Sequence, residues 1–135
     1  MYTNILVPVS FEEDRNVKAA LEVAQALGSA GRKITCVHVV EQLPVYATEF
    51  VPAAHMETAR SELNASLQSL VADIDNAHAV VIDGSAANAI LQFAETHGAD
   101  LIIMASHRPG MADYLLGSTA ARVVRHATCA VHVIR

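Results

Sequence analysis

The chain has 135 residues, the usual size of one domain and enough to bury a core without disulfides or a structural metal. Apolar residues make up 53% of it and aromatics only 4%, so the core must be built from Ala, Val, Ile and Leu, which suits helices stacked on a sheet. Nine Lys plus Arg stand against fourteen Asp plus Glu, and a net charge of −5 argues against nucleic acid as the main partner, because backbone binding needs several clustered cations.

The segment NILVPV (4–9) is short, branched and apolar, as expected of a strand buried on both faces. Val17, Ala20, Leu21, Ala24 and Leu27 then recur at helical spacing, and Gly28 follows as a stop signal. The run Glu12, Glu13, Asp14 reads as the solvated first turn of that helix, where negative charge is favourable. KITCVHVV (33–40) predicts a second strand, and EQLPVYATEFVP a loop punctuated by Pro44 and Pro52. From about Ala53, the positions Ala59, Leu63, Leu67, Leu70, Val71 and Ile74 form the apolar stripe of a long second helix. HAVVI (78–82) predicts strand three, Gly84 and Ser85 open a third helix, and Gly98 closes it. DLIIMAS (100–106) predicts strand four, GSTAARVVRHA a fourth helix and AVHVIR strand five.

Strands alternating with helices imply an α/β fold: a parallel sheet with right-handed crossovers and helices on both faces. No internal repeat or domain boundary interrupts the pattern, so residues 1–135 read as one domain. No apolar run approaches the roughly 20 residues that span a bilayer. MYTNILVPVS lacks the charged start and long apolar centre of a signal peptide, and the expected location is cytoplasmic. Cys36 and Cys129 form no C-x-x-C pair and sit in strand-like runs, which predicts two buried free thiols.

In open sheets of this kind, ligands bind beyond the carboxyl ends of the strands, where the strand order reverses. The acidic balance breaks at that end of the chain: after residue 104, Arg108, Arg122, Arg125 and Arg135 face only Asp113. Within this basic tail, Gly117, Ser118 and Thr119 occupy the start of the fourth helix, where backbone N–H groups lack intrahelical partners and the helix dipole favours an anion. Gly117 removes a Cβ that would hold a phosphate away, and the two hydroxyls add donors. Read alone, Ser118 equally suits an N-cap. The preceding loop adds to the anion reading: Ala105 and Ser106 end strand four with small side chains, His107 and Arg108 supply donors, and Gly110 permits a bend. Arg122 and Arg125 suit a solvent-facing position, Arg125 also complementing the helix C-terminus.

Of the seven histidines, His38 and His132 fall on strands, and His55, His78, His97 and His126 on helices or their ends. No pair has zinc-ligand spacing, so no metal ligation by side chains is expected, and only the loop residue His107 is set apart.

Three segments, NILVPVS, CVHVVE and above all ADLIIMASHRPGMADYLLGSTAARVVRHATCAVHVIR, resemble the universal stress proteins over essentially the full length. ATP-binding members carry G-x-x-G-(x)9-G-[S/T] after a strand. This chain looks like a shorter-loop branch with a Pro near the second Gly. Gly117 and Ser118 match the closing pair, while Ala105 stands at the first Gly and Arg108 near the second. The resemblance implies a Rossmann-like, doubly wound sheet of five parallel strands in the order 3-2-1-4-5. As the strand that closes the sheet edge, AVHVIR has few charges to deter pairing, which predicts a homodimer, or a higher oligomer, through strand five (Ala130 to Arg135).

By the same resemblance, adenine lies between the ends of strands one and two, with Pro8 and Val9 packing on it, the Val39 backbone reading its edge and Val40 lining the pocket. Ala105, Ser106, His107 and Arg108 approach ribose and phosphates, which Gly117, Ser118 and Thr119 hold. Ser10 replaces the usual Asp at the end of strand one, keeping a hydrogen bond to ribose without the charge. Mg²⁺ is then expected on phosphates and water. Pro8 and Val39, judged from the residues alone, equally suit turn or core positions.

The resulting expectation is an ATP-binding regulatory protein of the stress response that reports nucleotide state to a transport or signalling partner. A slow ATPase or phosphotransferase remains an alternative, although no P-loop lysine or water-activating carboxylate accompanies the phosphate residues. A stress protein acting only through dimer contacts, without nucleotide, is the third reading.

Overall fold

The computed structural model describes residues 1–10, 14–41, 53–105 and 116–135. Five strands, β1 (Tyr2–Pro8), β2 (Gly28–Val40), β3 (Ala77–Asp83), β4 (Leu101–Ala105) and β5 (Ala130–Ile134), form one sheet in the order β3-β2-β1-β4-β5. Every neighbouring pair is parallel. Among the described residues, four helices connect them: α1 (Asp14–Leu27), α2 (Ala53–Val71), α3 (Ala86–Thr96) and α4 (Ser118–His126). No helix among the described residues is long and apolar enough to cross a membrane.

Both sheet faces are buried, which is why the strands read as continuous apolar runs. On one face Ile5, Val7, Ile34, Cys36 and Ile103 pack with Val17, Leu21 and Ala24 of α1 and Leu67 and Val71 of α2. On the other, Leu6, Val37, Ile102 and Met104 pack with Ile90 and Ala94 of α3 and Ala120 and Val123 of α4.

The helix signals hold where local chemistry sets them. Ser85 is the N-cap residue of α3, with extended backbone. Gly98 ends that helix in the left-handed region at φ 68°. Its N–H reaches Glu95 O at 3.3 Å while Ala99 N reaches Ala94 O at 2.9 Å, the paired bonds of a Schellman turn. Gly28 acts differently from the expected stop: its φ is not left-handed, and the chain passes from α1 straight into β2. A Cβ there would stand 3.0 Å from the Ala24 carbonyl oxygen, so the constraint is space.

Three further expectations are corrected. Strand two starts at Gly28 rather than residue 33, because Tyr2 pairs with Gly28 before a register shift to Asn4–Lys33, with Gly31 at φ 81° inside the irregular stretch. The stripe of α2 buries only Leu67 and Val71; Ala59 is exposed and Ile74 lies beyond the helix, since α2 sits over the β3 edge and only its second half reaches the core. His78 lies within β3, not on a helix end.

The position of α2 has a consequence for that edge. Gln68 Nε2 donates to Ala79 O at 3.1 Å, and Arg60 donates to Val81 O at 3.2 Å while pairing with Asp83 at 2.7 Å. The outward carbonyls of β3 are thereby capped by side chains, as edge strands require if they are not to recruit another chain.

Candidate functional site

The carboxyl ends of β1 and β4 meet where the strand order reverses. Their ladder contains Ile5–Leu101 and Leu6–Ile102 and no further pair among the described residues. Meanwhile β1 continues along β2 to Pro8–Val37, and β4 continues along β5 to Ala105–Ile134. Pro8 explains the parting. Val9 N–H points to β2, donating to Val37 O at 2.9 Å, so alternation turns residue 8 toward β4. The next ladder bond needs an N–H at residue 8, and proline has none. The residue read from the sequence as a turn or a base contact is what opens the crevice.

Six of the twelve sequence-derived site residues lie at these strand ends. Pro8 and Ala105 are half-buried, Val9 is buried and Ser10 is exposed. Val39 and Val40, both half-buried, extend β2 beyond the last β1–β2 pair. Val40 O accepts Gly84 N at 3.1 Å, so residue 40 faces β3 and Val39 faces the β1 side.

The start of α4 is built from Gly117, the N-cap residue, with φ −59° and ψ 155°. Its carbonyl accepts Ala121 N at 2.9 Å, the first bond of the helix. Ser118 is therefore the first helical residue rather than the cap, and Thr119 the second. Glycine offers no side-chain acceptor to the N–H groups of Ser118, Thr119 and Ala120, which helix geometry leaves without intrahelical partners. Gly117 and Thr119 are half-buried and Ser118 is exposed. Such a terminus has the chemistry to receive an anion. At the other end, Arg125 and His126 lie in the last turn, and Arg122 and Arg125 are both exposed. Ser106, His107 and Arg108 lie outside the described residues.

His38 is the site residue that the sequence did not single out. Its half-buried ring places Nδ1 3.0 Å from Val9 O, at the corner where β1 ends. A histidine in an apolar strand carries no local mark of such a contact; the bond joins the ends of two strands.

Among the described residues no group of three or more His, Cys, Asp or Glu is arranged to hold a metal ion. The donors that are present, backbone N–H groups and hydroxyls, fit a phosphate-bearing ligand, and any Mg²⁺ there would take its oxygens from phosphate and water. Both cysteines are free. Cys36 is buried as expected, and burial pushes its thiol up to about 12. Cys129 is only half-buried, a correction to the expected buried strand position, because it precedes β5 and borders a cavity of about 200 Å³ at the opposite, amino end of the strands.

The sequence model of the universal stress protein family matches residues 1–135. A universal stress protein from Thermus aquaticus is 32% identical over 139 aligned positions, covering 100% of both chains. A solved universal stress protein in complex with cAMP superposes with a TM-score of 0.71 at 19% identity, covering 99% of this chain and 97% of that one. The Archaeoglobus fulgidus universal stress protein in complex with dAMP gives 0.64 at 19% identity, covering 99% of this chain and 98% of that one.

Proposed function

Because the chain belongs to the universal stress protein family, we propose that it is a regulatory adenine-nucleotide-binding protein, with ATP as the ligand, that reports nucleotide state to a partner. The observation that carries this reading is the crevice at the switch point: β1 and β4 part after Leu6–Ile102, and α4 begins nearby in sequence with a glycine cap and two hydroxyl residues. The cAMP and dAMP complexes of proteins with this fold support an adenine nucleotide as the class of ligand.

In this reading the base lies against Pro8 and Val9 with Val39 and Val40 beside it, and the ribose approaches Ser10 and Ala105. The phosphates rest on Gly117, Ser118 and Thr119, with Ser106, His107 and Arg108 closing over them. Donors fixed by a helix terminus need no reorganisation to receive the anion. The protein's contribution is binding and positioning.

The contrast between the two sheet edges supports the proposed assembly. The β3 edge is capped by Arg60 and Gln68, whereas β5 is a terminal strand with exposed Ala130 and His132 and half-buried Val131 and Val133. Pairing of β5 with β5 of a second copy about a two-fold axis is the proposed dimer.

The test of the ligand site is Gly117→Val. The backbone angles at Gly117 are open to any residue, so the variant should fold normally. A branched side chain at the phosphate approach should cost about 2 kcal/mol of ATP affinity. Calorimetry showing unchanged ATP affinity in the folded variant would remove the phosphates from this terminus.

A further inference from the structure

We propose that His38 is a positioning residue of this site: it takes over the Val9 carbonyl and so releases the Val39 N–H from the sheet for the ligand. The proposal rests on the adenine-nucleotide reading above for its functional half, and on backbone geometry alone for its structural half.

The β1–β2 ladder runs to Pro8–Val37 and continues with Val9 N–H to Val37 O at 2.9 Å. In a parallel ladder the next bond runs from Val39 N–H to Val9 O. Among the described residues that bond is not made, and Val9–His38 is absent from the register. Instead, His38 Nδ1 lies 3.0 Å from Val9 O. A carbonyl oxygen only accepts, so Nδ1 carries the hydrogen in this contact. The side chain one residue earlier thus replaces the main-chain donor, and the carbonyl remains satisfied as burial demands.

The exchange works because successive side chains of β2 leave opposite faces. His38 emerges on the face of Ile34 and Cys36, and Val39 packs on the other face with the α3 and α4 cluster. Val39 is therefore held by its side chain while its N–H, lying in the sheet plane, points past the end of β1 into the crevice. A fixed N–H donor at that place suits a ring-nitrogen acceptor on the edge of a purine. Without His38, the Val9 carbonyl is free to draw the Val39 N–H back into the ladder, and the donor is lost to the ligand.

Amide hydrogen exchange by NMR on the wild type, His38→Leu and His38→Asn, combined with titration of ATP and of inorganic tripolyphosphate, tests both halves. Asn places an N–H₂ group at the position of Nδ1, and Leu places none. In the wild type without ligand, the Val39 amide is expected to exchange at least about tenfold faster than that of Val37. In the Leu variant the Val39 amide becomes protected and ATP affinity falls about tenfold, the worth of one hydrogen bond, while tripolyphosphate affinity is unchanged. The Asn variant restores both. Equal protection of Val39 in the wild type and the Leu variant overturns the proposal, as does an Asn variant that behaves like Leu. Should the Leu variant not fold, the wild-type Val39 amide decides: slow exchange overturns the proposal and fast exchange supports it. A wild type that binds no adenine nucleotide refutes the functional reading, and the Val39 exchange rates then still judge the role of His38 in the ladder.

Discussion

Asp100 stands just before β4 and fastens the amino end of β1. Its Oδ2 accepts Thr3 N at 2.9 Å and Thr3 Oγ1 at 3.0 Å, and its Oδ1 accepts Asn4 N at 3.0 Å. Removing the carboxylate in Asp100→Ala breaks these three bonds and leaves the backbone bond from Asp100 N to Asn4 O, 2.9 Å, in place. Hydrogen bonds to a charged acceptor are worth about 1.5–3 kcal/mol each when buried. Thr3 is exposed and Asp100 half-buried, so water replaces much of what is lost. A discounted loss of about 2 kcal/mol in total follows, and for a chain of this size that lowers Tm by about 8 °C.

The same contacts set the pH dependence. Burial raises the Asp100 carboxyl, but the Thr3 and Asn4 amides and the Thr3 hydroxyl outweigh it and hold the group below its ordinary value. A depressed carboxyl contributes stability above its unfolded pKa and loses it as pH falls through the folded pKa. The wild type should therefore outlast Asp100→Ala at about pH 7, and the gap should narrow as pH falls from the unfolded pKa through the lowered folded one. Thermal melts by circular dichroism across that range read both effects. Equal melting at neutral pH, or a gap that ignores pH, refutes the reasoning. ATP affinity should be untouched, since this clamp lies at the end of the sheet opposite the crevice.

Light scattering at micromolar concentration is expected to show a dimer, and a monomer would refute pairing through β5. If Arg108 clamps the phosphates as proposed, Arg108→Ala is expected to weaken ATP binding by about 1.5–3 kcal/mol, to leave adenosine binding nearly unchanged and to reduce the salt dependence, because a guanidinium acts on phosphates through charge. Tighter ATP binding by Arg108→Gly would show instead that this arginine crowds the phosphates. With the Cys36 thiol pushed up to about 12 by burial and Cys129 half-buried, iodoacetamide at about pH 8 should label Cys129 alone in the folded protein and both thiols in urea, read by mass spectrometry. Labelling of Cys36 first would contradict the packing of β2.

The elements, their order along the chain and the class of fold were set out by local pattern. A branched apolar run such as 101–105 can satisfy its side chains only in a sheet covered on both faces, and Gly98 carries its own reason for ending a helix. Each of these is decided within a few residues. The anion-accepting start of α4 is local in the same sense, since Gly117, Ser118 and Thr119 are consecutive.

What the tertiary structure alone decided are the contacts whose partners lie far apart in the chain. Pro8 is visible in the sequence, but that it ends the ladder to β4 rather than to β2 depends on which neighbour residue 8 faces. His38 and Val9 are 29 residues apart, and Asp100 and Thr3 are 97 apart. Arg60 and Gln68 look like two polar positions of a surface helix until that helix is laid along the edge of β3. Periodicity specifies which face of an element is apolar, but the register between elements is set by how their side chains interlock, and each of these hydrogen bonds exists in one register only.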